Sequence, residues 1–514
     1  MGDSSGSATR PGQPGQIAFG SAAGRWVLAA TVTGSGMVFL DGTVVNVALP
    51  TIGTQLGSSL AGLQWVLNGY MLTLAALILL SGSLGDRYGR RLAFQAGVVW
   101  FALASAACAA AVSLPMLILA RVAQGIGGAL LTPGSLALIE SVFPARDRPR
   151  AIGAWSGLTG VATAAGPFAG GWLVDAGSWR YIFLLNLPLA AAVAAVTARH
   201  VPESADPRAA RQPDWAGAVL GAAGLGGCTY ALIEAGQAGA APAVAAAGAA
   251  GAAALAGFVL AERRSRHPML PPGVFTSAQF TAANLVTAVV YAALGAVFFL
   301  LILQLRQVLG YSALAAGAAS LPITALMLAL SARSGQLAAR IGPRAQMSAG
   351  PLIMAGGLAL MTRIGAGTGY VSTVLPAVAV LGLGLATTVA PLTSAALAAA
   401  ADRYAGVASG VNNAVSRAAQ LIAVAVVPLA AGITGTAYRD PRVFSAGFRT
   451  AMWITAGIAA GGGLLAWATI RNPPAPRPPG LPEPRGHHCA LDGPPLTCSA
   501  GSAAGTGRGG RPAE

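Results

Sequence analysis

Long apolar runs, broken by short polar turns, fill most of the chain. Read between breakers, they predict fourteen helical spans. Six lie near 26–48, 62–84, 92–112, 114–136, 151–173 and 180–198. Two more fall near 215–236 and 241–261, followed by six near 279–303, 313–333, 345–364, 371–395, 408–435 and 447–470. A helix crosses a bilayer in about 20 apolar residues, so each run is long enough to span. Pro115 supplies the break in the short gap between the third and fourth runs. The expected fold class is an all-α polytopic membrane protein.

Composition agrees with this pattern. The 514 residues are 55% hydrophobic and 9% charged, against about 25% charged in soluble domains. All 31 basic residues are arginine, giving a net charge of +15. They do not gather into one patch, so no nucleic-acid partner is expected. Instead they alternate from turn to turn. One set of segments holds Arg10 and Arg25, then Arg87, Arg90 and Arg91, then Arg146, Arg148 and Arg150. It continues with Arg199, Arg208 and Arg211, then Arg263, Arg264 and Arg266, then Arg340 and Arg344, Arg403, and Arg471 onward. The opposite segments hold few, among them Arg180, Arg306 and Arg439. By the positive-inside rule, both termini are expected in the cytoplasm.

The chain also repeats itself. GSLGDRYGRR at 82–91 aligns with GQLAARIGPR at 335–344, each in the turn after the second span of a six-span block. Residues 26–198 and 279–470 therefore read as two related six-helix bundles, with 199–278 a linker carrying two extra helices. Residues 1–25 and 471–514 are expected to be disordered tails. Parallel six-span repeats are a transporter architecture, with a substrate site between the halves near the midplane.

Two charges stand out within the spans. Asp41 lies in the apolar stretch from Trp26 to Pro50, where an ionised acid costs about 2.5–3.5 kcal/mol on insertion scales. Arg121 lies seven residues into the fourth span, and Asp41 lies seven before the expected end of the first at Ala48. At 1.5 Å per residue, both sit about 10 Å below the outer surface. Arginine stays charged, so it would favour the ionised acid, and its withdrawal would let that acid take a proton. A static structural ion pair is the alternative. Asn46, Gln64, Gln124 and Asn186 are polar groups for a cavity or for bonds between helices. Glu234 and Glu140 lie at span ends, where snorkelling accounts for them. From 279 to 470 the acids are Asp402 and Asp440, both in expected loops, and the deep charge is Arg417. One acid with two arginines suits neutral, monocationic or anionic compounds better than dications, and Arg417 is the candidate anion contact.

These residues resemble a known family. GSLGDRYGRR is similar to the loop signature of the major facilitator superfamily, LARVAQGIGGA at 119–129 to its fourth-helix motif, and GPFAGGWL at 166–173 to its fifth-helix antiporter motif. LDGTVVNVALP at 40–50 and WRYIFLLNLP at 179–188 resemble signatures of the fourteen-span drug:proton antiporter branch, the EmrB/QacA-like exporters. The resemblance implies proton-driven export of small compounds. It makes Gly82, Asp86, Arg87, Gly89, Arg90 and Arg91 a conformational latch, one-sided because the second copy has Ala339 where the first has Asp86. It makes Gly166, Pro167, Gly170 and Gly171 the antiporter segment; close helix packing is the plainer reading of the same residues.

The expected cycle is alternating access, with Asp41 and Arg121 coupling it to protons. No metal or other cofactor is called for, and a monomer is expected, with the bilayer, protons and a small molecule as partners. An exporter dedicated to one endogenous metabolite is the nearest rival, and a non-transporting membrane sensor a more distant one. Cys108 and Cys228 read as small buried hydrophobes. Cys489, Cys498, His487 and His488 in the tail match no standard zinc spacing.

Overall fold

The computed structural model describes residues 17–205, 213–238, 241–265, 268–400, 405–435 and 437–472. Among them there are no strands. Sixteen α-helices follow one another, from α1 (Ala22–Gln55), α2 (Leu60–Tyr88), α3 (Arg90–Ala109), α4 (Leu114–Val142) and α5 (Arg148–Asp175) to the split pair α6 (Arg180–Leu184) and α7 (Asn186–His200). Next come α8 (Trp215–Ala238), α9 (Pro242–Arg264) and α10 (Ala278–Gln307), then α11 (Ala313–Ala319) and α12 (Leu321–Ile341). The last are α13 (Pro343–Met361), α14 (Leu375–Ala398), α15 (Ala405–Ala430) and α16 (Pro441–Thr469).

Twelve helical segments are long and apolar enough to cross a membrane. The expected spans at 151–173 and 345–364 correspond to α5 and α13, which lie outside that twelve. Both are diluted by small or polar residues: α5 is rich in Gly, Ala, Ser and Thr, and α13 opens on Arg344, Gln346 and Ser348. The outer surface is apolar in the manner of a lipid-facing protein, with Leu103, Leu119, Trp172, Trp453 and Trp467 exposed.

Two runs read as single spans are broken. Pro188 cannot donate to the carbonyl of Leu184, so α6 ends there and α7 starts at Asn186. Pro322 does the same to Ala318, separating α11 from α12. The reverse correction applies to α1. It passes through Pro50 and ends at Gln55, seven residues beyond the expected Ala48, so Asp41 lies near the middle of a 34-residue helix. The start of the chain also departs from expectation, because the described residues before Arg25 are folded. Ile17 donates its N–H to Val142 O at 2.9 Å, and the Phe19 ring packs on Phe143. Two apolar side chains dock the segment onto the end of α4. The tail His and Cys residues lie outside the described residues.

The repeat is visible in the backbone. Gly89 and Gly342 occupy the same position of the two loop copies, and both adopt positive φ, 110° and 84°. Each ends one helix and starts the next within a single residue, a turn that glycine makes without a Cβ clash. Close contact explains the inserted pair as well. Gly227 and Gly251 let the α8 and α9 backbones meet, and α8 then rests on both α2 and α15.

Candidate functional site

Asp41 and Arg121 are in contact. The Arg121 Nη1 donates to Asp41 Oδ2 in an ion pair whose side chains are 1% and 0% exposed. A buried pair is sustained only where further hydrogen bonds satisfy the remaining atoms. Here Asp41 Oδ1 accepts from Gln124 Nε2 at 2.9 Å and from Asn186 Nδ2 at 3.2 Å. Arg121 Nε donates to Val66 O at 3.1 Å, and Nη1 also reaches Gln124 Oε1. Both amides donate again to Ser105 Oγ, at 2.8 and 3.3 Å. The Tyr70 ring lies beneath the guanidinium, 4.2 Å from its carbon to the ring centroid, with Phe183 at 5.8 Å.

Local sequence builds this cluster. Arg121 and Gln124 are three apart on α4 and share a face. Asn186 enters at the break that Pro188 imposes. Gly125 of α4 sits against the Tyr70 carbonyl, and Thr73 Oγ1 donates to Val122 O at 2.9 Å, so α2 lies close enough to slide Tyr70 under the arginine. Every member comes from the first half. Ser105 and Tyr70 carried no signal in the sequence, since such residues are ordinary in helices, and Phe183 stood only as one letter of the 179–188 motif; only the fold brings them to the acid.

Arg417 has a different setting. It is 7% exposed, on α15, and its partners are Met71 Sδ at 3.8 Å and the Phe39 ring at 5.3 Å. Tyr70 and Tyr291 are the phenols within its electrostatic reach. Among the described residues it has no carboxylate and no carbonyl partner. Asn46 bonds back to Gly42 O at 3.1 Å, leaving its Oδ1 without a partner. Gln64, grouped with the cavity on sequence, joins the halves: its Nε2 donates to Val424 O of α15 at 2.6 Å. Glu234 accepts from Trp65 Nε1 at 3.4 Å.

In the 82–91 loop, Asp86 pairs with Arg90 at 2.8 Å, one helical turn away. Arg87 lies over the Tyr88 ring, and Arg91 donates to Ala198 O at 3.1 Å. Glu203, unremarked on sequence, caps α3 by accepting from the N–H groups of Arg91 and Leu92, each at 3.1 Å. In the second copy Asn472 does this for Arg344 at 3.0 Å. Gly82 has open space around it, whereas Gly89 lies against the Glu203 carboxylate.

The antiporter-like segment lies between two helices. Gly166 and Gly170 abut Thr43 and Val44 of α1. On the other side, Gly171 meets the backbone of Ala313 and Leu314, and the Pro167 carbonyl meets Gly317. One helix thus touches both halves, and small residues are what allow it. Further polar bonds join the halves at the same end. Asp175 accepts from the N–H groups of Ala313 at 3.1 Å and Leu314 at 2.8 Å, Arg306 donates to Thr51 Oγ1 at 2.9 Å, and Tyr438 and Arg439 donate to Ser58 O at 2.6 and 2.9 Å. All lie at the arginine-poor end. Among the described residues, no hydrogen bond or ion pair crosses between the halves at the arginine-rich end.

A family model described as Major Facilitator Superfamily matches residues 31–424. Multidrug resistance protein Stp of Mycobacterium tuberculosis (strain CDC 1551 / Oshkosh) is 36% identical over 413 residues, covering 80% of this chain and 76% of that protein. Puromycin resistance protein pur8 of Streptomyces alboniger is 33% identical over 461 residues, covering 87% and 91%. Among solved structures, a bacterial homolog to the human lysosomal transporter Spinster is 19% identical with a TM-score of 0.61, covering 88% of this chain and 100% of that one. An auto-inhibited POT family peptide transporter is 18% identical with a TM-score of 0.65, covering 88% and 99%.

Proposed function

The chain belongs to the major facilitator superfamily, and from that premise we propose that it is a proton-coupled antiporter exporting drugs or other small amphipathic compounds. It acts as a monomer in the plasma membrane, with fourteen spans, both termini cytoplasmic and no cofactor; α5 and α13 complete the count. The relatives named for multidrug and puromycin resistance support export. The observation that carries the proton assignment is the buried Asp41–Arg121 pair with two amides on the same carboxylate.

The arginine-poor end is then extracellular, and its bonds between the halves hold the outer side closed while the inner side lacks them. Substrate loads from the cytoplasm in this state. When the halves rock, the outer bonds part and α1, α4 and α7 gain access to outside protons. A proton on Asp41 removes its charge and leaves Arg121 without a counter-ion, which favours return to the inward-open arrangement, where Asp41 gives the proton up to the cytoplasm and pairs with Arg121 again as substrate loads. Asp86, Arg87, Arg90 and Arg91 latch the cytoplasmic end in the opposite state, when Asp86 exchanges Arg90 for a partner in the second half.

The test is substrate-driven proton flux in proteoliposomes over a chemically diverse panel. Asp41→Asn is expected to insert normally and to lose uphill export to background. Unimpaired uphill export by that variant overturns the assignment of Asp41.

A further inference from the structure

The positive charge of Arg417 is unaccounted for by the fold. It is more than nine-tenths buried, yet it meets only a thioether and a phenyl face. A guanidinium has five donors and ordinarily satisfies them with carboxylates, phosphates or carbonyls when taken out of water. The helices of the second half offer no acid. Asp41 does not serve: it makes no bond to Arg417, and its charge is already balanced by Arg121.

The site draws on both halves. Phe39 belongs to α1 and Met71 to α2, whereas Arg417 itself is carried by α15. A molecule bound to Arg417 would touch the first half through Phe39 and Met71 while its charge was held by the second. We propose that Arg417 binds the anionic group of the transported compound, and that the substrates are amphipathic organic anions: carboxylates or sulfonates attached to an aromatic or aliphatic body. The body rests on Phe39 and Met71, which are flat or pliable and make no directional demand. A planar guanidinium receives a carboxylate through two parallel hydrogen bonds, which fixes the orientation of the ligand. Among the described residues, no free carboxylate faces this region to receive a cation. The inference rests on the export reading above and adds an electrical consequence. One proton inward against one monoanion outward carries two positive charges inward, so an inside-negative potential accelerates export of the anion.

Equilibrium binding to protein in nanodiscs tests this without any proton gradient, so it can fail while proton-coupled export stands, and the reverse. The probes are dansyl-glycine and dansyl-glycinamide, which share a fluorescent body and differ in the carboxylate; empty nanodiscs give the lipid background. The wild type is expected to bind dansyl-glycine at least tenfold more tightly than the amide. In Arg417→Gln that ratio is expected to fall to within twofold, and Arg417→Lys to restore a ratio of several-fold, with thermal unfolding of all three alike. A ratio near one in the wild type, no binding of either probe, or a tenfold preference surviving in Arg417→Gln overturns the proposal.

Discussion

Arg121 in the first half donates to a carboxylate and a carbonyl, while Arg417 in the second half lies against a sulfur atom and a phenyl ring. Both are long, permanently charged side chains, nine-tenths buried or more. The difference teaches where a buried charge belongs. The charge of Arg121 is matched by the protein itself, although its Nη2 is buried without a partner. Arg417 is unmatched among the described residues, which leaves room for the bound anion proposed above.

That contrast can be broken most directly by deleting each charge. Arg121→Gln strands Asp41 without its counter-ion, and breaking one side of a buried pair costs about 3–5 kcal/mol. Thermal unfolding in detergent should register a large fall in Tm. Arg417→Gln should stay within about 0.5 kcal/mol of the wild type or gain slightly, because no partner is abandoned. Equal losses for the two would erase the distinction.

A second comparison sets glycines against each other. Gly171→Ala drives a methyl into the α11 backbone, where the nearest atoms lie 2.5–2.6 Å from the new Cβ. Overpacking of this kind costs about 1–3 kcal/mol, and it weakens the contact between the halves at the arginine-poor end. Gly82→Ala meets open space inside α2 and is expected to raise Tm slightly, since glycine in a helix interior costs about 0.5–1 kcal/mol relative to alanine. The helix caps give a smaller effect. Glu203→Ala and Asn472→Ala should each lose about 1 kcal/mol by chemical denaturation, with Glu203 the larger of the two because its charge also faces a helix N-terminus. Smallest is Ala339→Asp, which gives the second loop the acid of the first. An exposed pair is worth about 0–1 kcal/mol, so stability is expected to move by less than that.

The central pair was legible because charge in an apolar run is conspicuous, and because Asp41 and Arg121 fall on spans of opposite direction. The repeat predicted the matching turns at Gly89 and Gly342. Less could be read of how far helices extend. Pro50 looks like an end, yet it sits inside α1, since neighbouring helices hold the segment together. Gln124 and Asn186 looked like cavity or bonding residues without distinction. Their role depends on Ser105, which lies on a third helix and whose distance from them no pattern encodes. Glu203 and Asp175 are hidden for another reason: each acts on backbone N–H groups, which leave no mark in side-chain chemistry. Among the described residues twelve helices rather than fourteen are apolar enough to span, because α5 exchanges hydrophobic bulk for close approach and α13 opens on polar residues.

The placement of α8 bears on traffic through the lipid phase. It covers α2 and α15 together, while α5 and α11 press against each other on glycine backbones. At the arginine-poor end, where these contacts lie, a compound dissolved in the lipid therefore meets a helix across one seam and opens nothing there by diffusing sideways. The inserted pair works as a side wall, and it makes the two lateral entrances of the molecule unequal.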